Sequence, residues 1–249
     1  MRKNLTRSIC LTGLLGICLT ASGQVTETYN FGGINTVVDS GIGTLDSRLL
    51  SSAITSITSV EVFLNITSTD FNSDLKVVLS HEANSSVLLN RVGRDTDSLA
   101  NPILQAFGYN DKGFNITLSD SATYNDGTGD KSKDVHVYRA ILYGDNTTSI
   151  PAPGVLTGTF APDGRTTDGS LATTSDPQTA MLSAFIGTDA NGIWNLQLKD
   201  FVAASETSTL VSWGMTITGV PEPQTYALVF GIGLMGVAIL RKKRISNSI

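Results

Sequence analysis

The sequence predicts an all-β fold, an antiparallel β-sandwich, and three observations predict it. Short segments in which apolar and polar residues alternate recur along the middle of the chain. Gly, Asn, Asp and Ser separate them, the residues that supply tight turns. No stretch between residues 24 and 220 sustains a helical period of apolar residues. Sheets with one face buried and one solvated give this alternation. The sandwich is flanked by an N-terminal signal peptide and a C-terminal transmembrane helix, each legible on its own terms.

The N-terminal element comes first. In "MRKNLTRSICLTGLLGICLTASGQ", Arg2, Lys3 and Arg7 form a positive head, and Ile9 to Leu19 an apolar run too short to span a bilayer. Ala21 and Gly23 supply the small residues of a cleavage site, so residues 1–23 read as a secretory signal. Cleavage between Gly23 and Gln24 starts the mature chain at Gln24. Ile17 before Cys18 argues against a lipoprotein start. Both cysteines, Cys10 and Cys18, lie in the signal. The exported domain is therefore held by its core without disulfides, and thiolate catalysis, thiolate zinc sites and iron–sulfur clusters are excluded from it.

Residues 24–39 read as a lead-in segment, and residues 40–219 as the sandwich. "SITSVEVFLNITS" puts Val60, Val62, Leu64 and Ile66 on one face and Glu61, Phe63 and Asn65 on the other. "DLKVVLS" (74–80) and "SVLLNRV" (86–92) follow as strands between polar turns. "GFNITLSD" places Phe114, Ile116 and Leu118 in phase, and "IWNLQLKD" does the same for Trp194, Leu196 and Leu198. "TLVSWGMTITG" gives Val211, Trp213, Met215 and Ile217. The acid- and glycine-rich stretch from Ser119 to Asp134 is expected as a surface loop.

The C-terminal element is a stiff "VPEP" (220–223), 18 uncharged residues from Pro223 to Leu240, and the basic cluster Arg241, Lys242, Lys243 and Arg244. At about 1.5 Å per residue the run could be helical over roughly 27 Å, close to the ~30 Å hydrocarbon core of a bilayer. The basic cluster would hold the C-terminus on the cytoplasmic side. A transmembrane helix over 224–240 with a basic tail over 241–249 follows. Dimensions alone leave open whether it is a permanent anchor or a removable tag.

Val220, Pro221, Glu222 and Pro223, then an apolar helix, then "RKKR" near the terminus, resemble the PEP-CTERM sorting signal of exported bacterial proteins. The resemblance makes 220–249 a sorting signal. It implies recognition by an exosortase, an integral-membrane protease, in the inner membrane of a Gram-negative cell. Processing near the motif and transfer to the cell surface or the medium would follow, in a host that commonly makes exopolysaccharide.

Within the body, "LTGTFAPDG" (156–164), "LSAF" (182–185), "NGIW" (191–194), Asp200, Leu210 and Trp213 resemble the P domain, or homo B domain, that trails subtilisin-like proprotein convertases. "DLKVVLS" and "GFNITLSDSA" resemble its paired and middle strands. The resemblance implies a jelly-roll-like sandwich of about eight strands that is not itself catalytic. In that family the Gly before the "DL" pair is usual, and here Ser73 stands there. The acidic cluster after the middle strand is thinned to Asp120. The stretch from Arg165 to Ala180 reads as an insertion.

Charge and chemistry narrow the function. Between Gln24 and Val220 there are 21 Asp and Glu against 10 Lys and Arg, a net of −11. That balance repels nucleic-acid phosphates, so no nucleic-acid partner is expected. The two histidines, His81 in a strand-end turn and His136 on a strand surface, have no serine elbow or second zinc ligand beside them. No enzymatic activity is expected. Calcium is the one cofactor left open, since oxygen-rich turns suit a hard cation. Its candidate ligands are Asp74, Asp120 and Asp200, beside the matched strands. Asp126, Asp130 and Asp134 are spaced by four without the pattern of an EF-hand. Trp194 and Trp213 read as core. Two roles remain: a surface or matrix protein tied to extracellular polysaccharide, or a module that recruits or stabilises a separate secreted protease.

Overall fold

A computed structural model of the chain describes residues 23–38, 43–68, 71–95, 108–169, 171–202 and 207–221. The expected signal peptide up to residue 22 and the expected helix over 224–240 lie outside these residues. No helix among the described residues is long and apolar enough to cross a membrane.

The strands are β1 (Val25–Phe31), β2 (Thr36–Val38), β3 (Thr44–Leu50), β4 (Ile54–Ser68), β5 (Leu75–His81) and β6 (Asn84–Asn90). They continue with β7 (Gly113–Ser119), β8 (Thr123–Asn125), β9 (Asp130–Ser132), β10 (Leu156–Phe160), β11 (Gly192–Asp200) and β12 (Ser208–Pro221). One sheet has the order β1-β12-β4-β7-β10, with β2 also on β12; a second has the order β3-β11-β5-β6. The two sheets bury one shared core.

The alternation seen in the sequence becomes the burial pattern. Val60, Val62, Leu64 and Ile66 of β4 point inward and are at most 5% exposed, while the residues between them are half-buried or exposed. Leu75, Val77 and Leu79 of β5 meet them from the other sheet with Trp194, Leu196 and Leu198 of β11. Burying a Leu, Ile, Val or Phe side chain contributes about 1.5–3 kcal/mol, and this layer holds a disulfide-free domain together. On β12 the expected phase slips by one residue: Leu210 is buried and Val211 is half-buried. A register shift between Leu210 and Ser212 restores the pattern at Trp213.

Other expectations are corrected. The sheets are antiparallel except at one edge, where β10 runs parallel to β7. The lead-in segment is built into the six-stranded sheet, because β1 pairs with β12 from Val25↔Gly219 to Phe31↔Trp213. The acidic loop contains a hairpin of β8 and β9, with Asn125 and Asp126 side chains accepting from the Gly127 and Thr128 amides in the turn. A short helix, α1 (Tyr138–Tyr143), follows a 3-10 turn over Val135–Val137 and stops at Gly144, which adopts a left-handed conformation at φ 75°.

The stretch from Arg165 to Ala180, read as an insertion, is tied down over the β6 edge. Val87 N–H donates to the Ala180 carbonyl, and Asp163 and Gly164 N–H donate to Leu88 and Val87 carbonyls. The Asn90 amide donates to the Arg165 and Thr167 carbonyls. Covering an edge strand in this way removes a template for unwanted pairing.

Candidate functional site

The two expected processing points leave the sandwich side by side. Gln24 directly precedes β1, and its side-chain amide donates to Thr58 Oγ1 at 3.4 Å. Val25 faces Gly219 across the sheet, a spacing of about 4.5–5.5 Å between Cα atoms in an antiparallel pair. Val220 and Pro221 are not a free linker. They close β12, paired with Ser56 and Ile54 of β4, and Pro221 is buried. Proline is tolerated there because a register shift between Val220 and Pro221 interrupts the ladder that would need its missing N–H. Gly219 is required to be small, since a Cβ would lie 2.3 Å from Ile54 Cγ2 and 2.4 Å from the Ser56 carbonyl oxygen. Glu222, Pro223 and the basic cluster Arg241–Arg244 lie outside the described residues. Any membrane tether therefore attaches at one pole of the domain, the pole of Val25 and Pro221.

Buried charge braces the flank where the end of β10 meets β6, with Asp134 bridged to Ala161 and the Asp163 N–H donating to the Leu88 carbonyl. There His136 Nδ1 lies 2.7 Å from Asp163 Oδ2, and its Nε2 lies 2.8 Å from the Arg94 carbonyl oxygen. Both partners offer acceptor oxygens, an arrangement that favours a proton on each ring nitrogen. Burial opposes that charge, but the Asp163 carboxylate outweighs it and raises the His136 pKa. Arg165 reaches Asp163 at 3.2 Å and Asp134 at 2.8 Å. Asp134, pushed up by burial and pulled back by Arg165, also caps the 3-10 turn through the His136 N–H.

A second cluster centres on Asp111. Tyr138 Oη and Arg139 Nε donate to its Oδ2 at 2.6 and 2.7 Å, and Ile150 N–H donates to Oδ1. Burial and the Asp111 charge push the Tyr138 hydroxyl well above its usual range.

The histidines are thus not where the sequence put them. His136 is on a 3-10 turn and fully buried, because the Val-His-Val alternation belongs to that turn and not to a strand. His81, expected in a solvated turn, is the buried last residue of β5. It stacks on Trp194 with ring centroids 4.2 Å apart, and its two nitrogens face the Ile193 and Asp189 carbonyls. Each ring has both nitrogens engaged by acceptors, so neither presents a free basic nitrogen to a nucleophile.

Of the calcium candidates, Asp74 and Asp200 come together, since Asp200 pairs with Leu75 and Phe201 N–H donates to the Asp74 carbonyl, while Asp120 lies apart. Asp120 accepts from the Leu182 and Ser183 amides at 3.0 and 2.7 Å, capping a 3-10 turn. Asp74 lies at the other end of β7, next to Asn72, which bonds to Gly113; the length of β7 is about 20 Å. Arg91 lies 3.5 Å from Asp74 and also feels the charge of Asp200, so a guanidinium occupies the electrostatic role a cation would take. Asp200 Oδ1 accepts from the Val202 amide. Among the described residues no group of three His, Cys, Asp or Glu could hold a metal ion.

Comparison with known proteins bears on the tethered pole. Residues 219–244 match the PEP-CTERM protein-sorting motif. The chain carries an exosortase sorting signal. The PEP-CTERM match begins at Gly219, inside β12, so the signal and the sandwich share their last strand residues. A protein with this signal is exported and is held at the membrane before processing. No curated protein matches the chain. Among solved structures, it is similar to a complex of the Aeromonas sobria serine protease with its chaperone ORF2. The identity is 14% over 80% of this chain and 27% of that one, with a TM-score of 0.38. It is also similar to a structure of the serine protease of Aeromonas sobria, at 13% identity over 79% of this chain and 27% of that one, with a TM-score of 0.36. The chain spans about a quarter of those structures, and so distant a likeness says nothing of what it binds.

Proposed function

We propose that this is a non-catalytic β-sandwich protein, made with a signal peptide cleaved between Gly23 and Gln24 and anchored by a helix over 224–240. An exosortase cuts it near Val220–Pro223, and the domain then works at the cell surface or in the extracellular matrix, in contact with exopolysaccharide. The jelly-roll, P-like reading of the sandwich belongs to the same proposal. The observation that carries it is the PEP-CTERM match joined directly to the end of β12. A folded domain with both ends at one pole can be threaded out by one segment and held by the other without strain on its core.

The engagement of both histidines by acceptor groups supports the non-catalytic part. The test is fractionation of the native host with and without its exosortase gene. The released or surface form should vanish in the deletion strain and a longer membrane-bound form should accumulate. An unchanged distribution between fractions would refute exosortase processing.

A further inference from the structure

The outer face of the six-stranded sheet has a composition that neither its sorting signal nor its core explains. Opposite the buried row of β4, the positions from Ser59 to Thr67 and their paired partners on β1, β12, β7 and β10 point outward. They carry one charge, Glu61, and one aromatic ring, Phe63. Every other such position on these strands is Thr, Ser, Asn or Gly, and the exposed Val37 of β2, paired with Thr209, lies at the rim of the face. This is unexpected in a domain with a net charge of −11 between residues 24 and 220, where carboxylates are available for any solvated surface.

Part of the face is already ordered by its own hydroxyls. Thr26 and Thr218 are 2.9 Å apart through their Oγ1 atoms, and Thr28 and Thr216 are 3.0 Å apart. Next to this ladder lies a groove of about 250 Å³, lined by Asn30, Phe63, Asn65, Asn115 and Ser212 among others. Asn65 pairs with both Asn115 and Ser212, and Phe63 pairs with Thr117 and with Gly214. Gly214 leaves the floor beside Phe63 without a side chain, and Asn30 lies over it: a Cβ there would be 3.2 Å from Asn30 Oδ1.

Each amide offers two donors and an acceptor, the ring offers a flat apolar surface, and no formal charge lies among the groove's side chains. Protein interfaces concentrate aromatic residues, Met and Arg at their centre, and membrane surfaces call for basic or broadly apolar patches. This face has neither. A ligand rich in hydroxyls, neutral, and repeating along its length is what it complements.

We propose that this face, centred on Phe63, binds a neutral polysaccharide chain, with the sugar ring against Phe63 and its hydroxyls bonded by Asn30, Asn65 and Asn115. The inference rests on the reading of the protein as an exported surface component, and supplies that reading with a ligand class and a site. An acidic polysaccharide is disfavoured by Glu61 and by the charge of the whole domain.

The test is retardation of the host-purified protein in gels containing soluble dextran, laminarin, or the neutral and acidic fractions of the host's own extracellular polysaccharide. At least one neutral probe should retard it. Periodate treatment of that probe should abolish the effect, and protease treatment should leave it intact. Phe63→Ala should weaken binding roughly tenfold, and Thr117→Glu, which sets a carboxylate opposite Phe63, by at least as much. Leu49→Ser on the other sheet should change nothing. Thr117→Glu decides the matter if Phe63→Ala does not fold.

Retardation by acidic fractions alone, by a protease-sensitive component, or unchanged by both face variants would overturn the proposal, as would no retardation by any probe. The intact mass of the same preparation separates the two readings. Correctly processed protein that ignores every neutral probe refutes the polysaccharide site and leaves the sorting account standing.

Discussion

Arg165 is the residue whose removal should be felt most, because two buried carboxylates depend on it. Its guanidinium bonds Asp163 at 3.2 Å and Asp134 at 2.8 Å, and a further Nη2 bond at 3.0 Å reaches the Thr174 carbonyl. Arg165 is 3% exposed and Asp163 is fully buried, so water cannot take over when the partner is lost. Arg165→Met keeps most of the stem and deletes the charge. Breaking a buried pair while leaving its partners charged costs about 3–5 kcal/mol. For a domain of this size each kcal/mol corresponds to roughly 2–4 °C, so the melting temperature should fall by about 6–20 °C.

The same variant frees the covering stretch 165–180 from Asp134, so the fall should be accompanied by faster proteolysis there. Adding Asp134→Asn should recover part of the loss, since one orphaned carboxylate becomes neutral; a coupling of about 0.5–3 kcal/mol is expected for groups in one network. Calorimetry and urea denaturation of the two single variants and the double variant would measure it. A loss below about 1 kcal/mol, additive in the double variant, would mean that the cluster is solvated, and the reasoning would be wrong.

Three further outcomes follow from the same geometry. The His136 pKa is raised above its ordinary value near 6.5, so its contribution is full below that pH and is lost as pH rises through the folded-state value. Thermal scans should show stability falling over that upper window, and His136→Gln should flatten this part of the profile. Leu64→Ala, at a fully packed position between the sheets, should cost about 2–5 kcal/mol in urea denaturation. Chelation should leave the melting temperature unchanged, because Arg91 neutralises Asp74 and Asp120 is used as a cap. A drop on adding EDTA, reversed by calcium, would contradict that assignment.

What the sequence showed and what it hid have physical causes. The long central strands were legible because one face of each is buried, which imposes a period of two on β4, β7, β11 and most of β12. The slip at Val211 was not, because a bulge adds a residue without any compositional mark. β1 carries a weaker mark in the sequence, since its apolar side, Val25, Tyr29 and Phe31, is interrupted by Glu27 and only half-buried at a sheet edge. The β8–β9 hairpin did carry a signal, the Asp126-Gly127 pair.

The buried clusters join residues far apart in the chain. His136 and Asp163 are 27 positions apart, and Arg139 and Asp111 are 28 apart. No local pattern encodes such pairs. The sorting motif was legible because its parts are contiguous in the sequence, and residues 219–244 match it. The neutral outer face was also written in the strands, in the Thr, Asn and Ser between the core residues, but only the pairing of β1, β12, β4, β7 and β10 assembles it into one surface.

The central claim is that the C-terminal segment is a sorting tag removed after export, and the intact mass of the mature protein in each fraction of its native host tests it most directly. The account predicts a surface or released form that starts at Gln24 and ends near Val220–Pro223, without Arg241–Arg244. A protein that keeps Ile249 in every fraction would contradict it and would make the segment a permanent anchor.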